Sequence, residues 1–244
     1  MKKKFLTAEW NNLIMANYVI DPKILLPYLP AKTELDFYNG NCYVSLIGFM
    51  FEETAILNMR MPFHINFEEV NLRFYVRHND NGVWKRGAVF IKEIVPKPAI
   101  ALIANLFYRE KYATLPMRHY YRQTDNEIQL GYHWKYKGVW NKLEAVTEPA
   151  GTALIPGSKE EFIAEHYWGY SKYSDKITFE YGVQHPSWLV HAVKNYAVEC
   201  NFESLYGRQF NFLNNVKPDS IFMAKGSPVS VYKGARIQRI VDNG

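Results

Sequence analysis

The stretch 68-EEVNLRFYVRHNDNGVWKRGAVFIKEIV-95 decides the fold class. From Glu69 to Val76 its side chains alternate strictly. Val70, Leu72, Phe74 and Val76 share one face of a strand, and Glu69, Asn71, Arg73 and Tyr75 share the other. Asn79-Asp80-Asn81-Gly82 then breaks the run, and a second strand-like run follows, which reads as a β-hairpin. The polar face has two readings. It meets water, or it points into a barrel or cone where each group needs a partner or a ligand. Glu69 and Arg73 lie about 13 Å apart along the strand, too far to pair but suited to bracketing a small molecule.

The same grammar extends to both sides. Leu13 to Ile20 reads as a strand, followed by a short helix from about Pro22 to Leu29 with Asp21 as N-cap and Pro22 at the first helical position. The segment 34-ELDFYNGNCYVSLIGFMFEE-53 reads as another hairpin turning at Asn39-Gly40. A helix is expected over 98–109. Further strands are expected at 116–123, 127–137, 139–147, 176–183, 191–203 and 219–233. Ser158 and Glu161 have the spacing of a capping box for one more short helix. No linker, charged block or repeat divides the chain, so residues 1–244 read as a single α+β domain, mostly antiparallel β, with a few short helices.

Composition narrows the function. Apolar residues make up 48% and charged residues 22%, as in ordinary globular proteins. Aromatics reach 16%, which suits broad sheets or a ring-lined cavity. The formal charge is +5, but the basic residues are dispersed, which argues against a nucleic-acid interface. Glu9, Asn11 and Asn12 interrupt any apolar leader, and no run of about 18 apolar residues spans a membrane. Two lone cysteines, Cys42 and Cys200, fit a reducing, cytoplasmic setting. The seven histidines are scattered and no phosphate loop occurs, so neither a metal nor a cofactor is expected. A small-molecule ligand or substrate is the expected partner, with a homo-oligomer left open.

Two places carry chemistry-bearing side chains besides the polar strand face. One is Lys111, which stands among aromatics after Arg109 and Glu110. It is either a snorkelling surface lysine or an amine made nucleophilic by burial and a nearby cation. The other is Arg118-His119, where a histidine has polar company.

Six stretches, taken together and in order, resemble the YqjF-like family, a bacterial domain of unknown function. They are AEWNNLIMANYVIDPKILLPYLP, ELDFYNGNCYVSLIGFMF, PFHINFEEVNLRFYV, EEFIAEHYWGYS, HPSWLV and GSPVSVY, and they run from residue 8 to residue 232. That family is grouped with acetoacetate decarboxylase-like proteins, so the resemblance implies a β-rich barrel or cone around a closed cavity. The decarboxylase pattern is Pro-Ala-Ile-Ala, a short helix, then Pro-Lys-Lys. PAIALIANLFYREKY aligns with it from Pro98 and puts the Schiff-base lysine at Lys111. Tyr112 then replaces the second lysine, Glu110 the proline and Asn11 the active-site arginine, while Glu69 matches the glutamate. The resemblance implies an enclosed pocket for a small carbonyl or aromatic compound and little acetoacetate decarboxylase activity. Arg73, Asn71, Tyr75, Arg118 and His119 are its candidate binding residues. The alternative is a Schiff-base lyase or decarboxylase acting on a small keto acid through Lys111 with Glu69.

Overall fold

Long alternating runs make the chain mostly extended. A computed structural model describes residues 3–238. Five strands come first: β1 (Lys4–Ile20), β2 (Glu34–Leu35), β3 (Cys42–Ile56), β4 (Phe67–Asp80) and β5 (Val83–Val95). Then come β6 (Tyr112–Thr114), β7 (Met117–Gln123), β8 (Ile128–Tyr136), β9 (Val139–Thr147) and β10 (Thr152–Ala153). The last are β11 (Trp168–Lys172), β12 (Ile177–Gln184), β13 (Leu189–Glu199), β14 (Ser220–Tyr232) and β15 (Ala235–Gln238). Four short α-helices interrupt them: α1 (Pro22–Leu25), α2 (Pro98–Tyr108), α3 (Lys159–Ala164) and α4 (Phe202–Tyr206).

The strands β1, β3, β4, β5, β11, β12 and β14 follow one another around a cone-like ring, closed by pairing of β12 with β14. All of these pairs are antiparallel except β5–β11, which is parallel and rests on Trp168 against Gly87 and Gly169 against Ala88. From β14 the sheet continues outward through β13, β9, β8 and β7 as a wing. The wing folds against the outside of the cone. Leu130, Tyr132, Trp134 and Leu143 share a core cluster with Val70, Leu72, Phe74 and Val76 of β4. A second cluster, including Phe49, Phe51, Phe67, Ile100 and Trp188, fills the inside. Both faces of β4 are therefore covered, and its polar face is not solvated as in the first of the two readings above.

Most boundaries follow the sequence signals. Asn81 and Gly82 both have positive φ, 53° and 89°, as a tight hairpin turn demands. Asp21 caps α1 by accepting from Lys23 N, and Ser158 caps α3 by accepting from Glu161 N. The reciprocal capping bond differs: Glu161 Oε2 accepts from Gly157 N. Three expectations need correction. The strand before Asn39-Gly40 is only β2 and pairs with β4, because Asp36 turns to Arg86 (Nε–Oδ2 2.7 Å) instead of continuing a ladder with β3. Strand β1 begins at Lys4, not Leu13, and accommodates Asn12 at φ 59° as an irregularity in its pairing with β3. The strand expected over 191–203 ends at Glu199, where Asn201 caps α4.

Candidate functional site

A cavity of about 110 Å³ lies within the cone. Its wall is largely apolar and rich in rings, with Trp10, Phe49, Phe51 and Phe67 among its lining residues. Helix α2 contributes Ile100, Ile103 and Ala104. Polar side chains enter this apolar wall from several elements, Tyr181 of β12 and His166 after α3 among them. Strand β4 supplies Glu69, Asn71 and Arg73, strand β5 supplies Glu93, and the segment after α2 supplies Glu110 and Tyr112.

That last segment owes its direction to local backbone chemistry. Arg109 ends α2 in the left-handed region at φ 56°, and Ser171 Oγ donates to the Tyr108 carbonyl at 2.5 Å. Asn105 on α2 then holds Tyr112 by both backbone groups. Its Oδ1 accepts from Tyr112 N at 2.8 Å, and its Nδ2 donates to Tyr112 O at 3.1 Å. Extended chain alternates sides, so Glu110 and Tyr112 line the cavity while Lys111 between them is exposed.

The polar groups form one hydrogen-bonded triad and one pair, and leave several atoms over. Tyr112 Oη donates to Glu69 Oε2 at 2.8 Å and Asn71 Nδ2 to Glu69 Oε1 at 2.9 Å. Tyr181 Oη donates to Glu110 Oε1 at 2.8 Å. Glu93 Oε2, Asn71 Oδ1 and Arg73 Nε are buried with no hydrogen-bond partner among the described residues. Such groups are rare in native structures, and each calls for an explanation such as an ordered water, an ion or a catalytic role.

Three carboxyl groups share this space with one guanidinium. Burial raises the pKa of Glu69 to about 7, against the hydrogen bonds from Asn71 and Tyr112 and the charge of Arg73. Burial also raises Glu110, to about 8, with Glu69 adding to the effect and Tyr181 and Lys111 opposing it. Glu93 is raised well above its ordinary value by burial and by the charges of Glu110 and Glu69, against a hydrogen bond from Tyr112 and the charge of Arg73. Burial and the same carboxylates hold Tyr112 and Tyr181 in their neutral forms. His166, also in the wall, is lowered to about 4 by burial, with the nearby charges of Arg86 and Arg73. Asp36 opposes this, with its Oδ2 3.5 Å from His166 Nε2.

The residues expected from sequence divide sharply. Glu69, Asn71 and Arg73 stand together in the cavity wall. Tyr75 is fully buried one step further along the same face, donating to Ser45 Oγ at 2.8 Å and packing on His166. Lys111 does not line the cavity. Its ammonium lies 5.0 Å from the centroid of the Tyr28 ring, where partial desolvation and Lys172 lower its pKa against the pull of Glu110. Arg118 and His119 are exposed on the wing, Arg118 over the Trp140 ring and His119 bonded to Glu68 at 2.7 Å. Asn11 turns away to donate to Glu52 at 2.8 Å.

Sequence reasoning missed Glu93, Tyr181 and the inward course of Glu110 and Tyr112. For Glu93 a signal existed, namely a charge within the apolar run 90-FIKEIV-95. An irregularity between Leu72 and Arg73 in the β4–β5 pairing hides its face from simple alternation. His166 stands just past the end of a short helix, where a cation is ordinarily favoured. It lies beyond the C-cap of α3, where burial and the two arginines disfavour a cation. Among the described residues no group of acidic, histidine or cysteine side chains is arranged to hold a metal ion, and no helix is long and apolar enough to cross a membrane.

Comparison with known proteins agrees with this architecture. The profile of DUF2071, described as an uncharacterized conserved protein, matches residues 7–228. Uncharacterized protein YqjF of Bacillus subtilis (strain 168) is 25% identical over 195 residues, 74% of this chain and 73% of its own. Acetoacetate decarboxylase of Legionella pneumophila superposes with a TM-score of 0.65 at 11% identity, over 96% of this chain and 88% of that one. The enduracididine biosynthesis enzyme MppR, solved in complex with pyruvate, superposes with a TM-score of 0.66 at 8% identity, over 97% and 91%. At these identities the likeness is one of fold.

Proposed function

The chain belongs to the DUF2071 family, and on that premise we propose that its cone holds a small carbonyl compound without forming a Schiff base. One observation carries the reading: in a wall that is mostly apolar, Arg73 Nε, Asn71 Oδ1 and Glu93 Oε2 are buried without partners among the described residues. A ligand with an apolar body and a polar carbonyl end meets both demands. That a neighbour of the same fold was solved with pyruvate supports the size and class of ligand.

Among the described residues no lysine lines the cavity, so decarboxylation through an imine has no amine to begin it. Acetoacetate decarboxylase activity is therefore not expected. Lys111 is a surface residue in this reading, and the two free cysteines fit the reducing compartment expected from the sequence. Trp10 and Trp168 line the cavity and supply the assay. Pyruvate, 2-oxobutyrate and butanone should change tryptophan fluorescence saturably in at least one case. Borohydride added to the complex should leave the protein mass unchanged. A stable adduct on Lys111, or no fluorescence response to any carbonyl probe, would overturn the reading.

A further inference from the structure

We propose that the cavity is an amine-free acid–base site that interconverts a small carbonyl compound and its enol, with Glu69 taking the α-proton and Glu93 Oε2–H protonating the carbonyl oxygen. This rests on the pocket reading above and adds a reaction to it.

The three carboxyl groups differ in their company. Glu69 receives two donors, from Asn71 and Tyr112, and shares a strand face with Arg73. That is the environment of a carboxylate. Glu110 is engaged by Tyr181. Glu93 is 2% exposed, and no donor reaches its Oε2. Directly across the β4–β5 ladder stands Asn71, whose Oδ1 also has no donor. Side chains opposed in this way lie about 5 Å apart at Cβ. A proton on Glu93 turns one of these two orphan acceptors into a donor for the other, or for a ligand oxygen. Like charges confined in a buried cavity beside one arginine are not all kept, so two neighbouring carboxyl groups take opposite protonation states.

The step balances with no other reactant. The α C–H bond breaks and its proton passes to a Glu69 carboxylate oxygen. The C–H electron pair becomes the C=C π bond, and the carbonyl π pair takes the proton from Glu93 Oε2. The negative charge has then moved from Glu69 to Glu93. Tyr112 stands beside Glu93 in the parallel β5–β6 ladder and is bonded to Glu69, so its hydroxyl is placed to return the proton between them. Arg73, with Nε unpartnered, faces the same space and holds the polar end of the ligand.

The test is α-proton exchange in D2O, followed by proton NMR on pyruvate, 2-oxobutyrate and butanone, with tryptophan fluorescence reporting binding in parallel. The protein should accelerate exchange of at least one probe by about a hundredfold or more over buffer, in keeping with general acid–base catalysis. Glu69→Gln and Glu93→Gln should each return exchange to the buffer rate while a saturable fluorescence response persists. Lys111→Ala should exchange as the parent does. Wild-type exchange should also fall at both pH extremes, because one group must be ionised and the other protonated. This profile needs no variant to fold. Binding without exchange, exchange that survives Glu69→Gln, or a profile without both limbs overturns the acid–base assignment and leaves the pocket standing. Absence of any fluorescence response removes both.

Discussion

Replacing Glu110 with glutamine should stabilise the protein by an amount that grows with pH. Glu110 is 8% exposed, and its bond from Tyr181 is one that a glutamine oxygen can still accept. Burial is the main cause that raises its pKa from 4.5 to about 8. Between those values the native protein keeps a proton that the unfolded chain has released. Native proton binding then exceeds unfolded binding, so stability falls as pH rises through the window, and the loss is complete above pH 8. At about 1.4 kcal/mol per unit, the penalty at pH 8.5 is on the order of 4 kcal/mol. Glutamine carries no such penalty. For a chain of this length about 2–4 °C accompanies each kcal/mol, so Glu110→Gln should melt roughly 8–16 °C higher at pH 8.5. At pH 4.5 the two proteins should melt together. Calorimetric melts of both at half-unit steps read the effect, to which Glu93, Tyr181 and Lys111 contribute because each senses the Glu110 charge. A difference that is constant across the range, or that reverses sign at high pH, would show that native Glu110 is an ionised and well-paired carboxylate.

His166 should remain a neutral imidazole at pH 5.5, which histidine-resolved NMR can read directly. Its folded pKa is lowered to about 4, so the unfolded chain binds the extra proton and stability is lost as pH falls from about 6.5 toward 4. Asn105→Ala should cost about 1–3 kcal/mol by releasing both backbone bonds of Tyr112, with faster amide exchange at Tyr112 but not in the wing. Gly169→Ala should disturb the cavity from behind, since a Cβ there would lie 2.0 Å from Tyr181 Cζ. The ring must shift and its bond to Glu110 must break, so fluorescence titration should show weakened ligand binding. Lys111→Ala should change stability by less than about 0.5 kcal/mol, measured by denaturant unfolding, as for an exposed side chain.

How far the sequence could be read depended on whether the relevant force was local. The β4–β5 turn, α2 and the caps of α1 and α3 all depend on residues within a few positions of one another, and each was legible. So was the parity of Glu69, Asn71 and Arg73. What covers the opposite face of β4 was not, because Trp134 and Leu143 lie well over 50 residues away in the chain. β11 escaped notice for a related reason. It is five residues long and owes its place to partners on β5 and β12. The site failed differently. Alignment from Pro98 pointed at Lys111, yet alternation after Arg109 turns its two neighbours inward. Position in a pattern does not fix the side of the backbone, and one left-handed residue settles it here.

The parallel joint between β5 and β11 bears on how the cavity is reached. Two residue pairs hold it, whereas β1 meets each of its neighbours along most of its length. It also admits no padding, because a Cβ on Gly87 would lie 2.4 Å from the Trp168 carbonyl oxygen. Ala88, Trp168 and Gly169 at this joint are themselves cavity wall. Where few backbone bonds cross, local opening costs least. The ring should therefore part most easily here or at β12–β14, which two residue pairs also hold. For a guest bound as proposed, arrival and departure would be timed by the parting of such short backbone contacts, and Gly87 and Gly169, which keep the β5–β11 contact close, would set the tempo without touching the guest's reactive atoms.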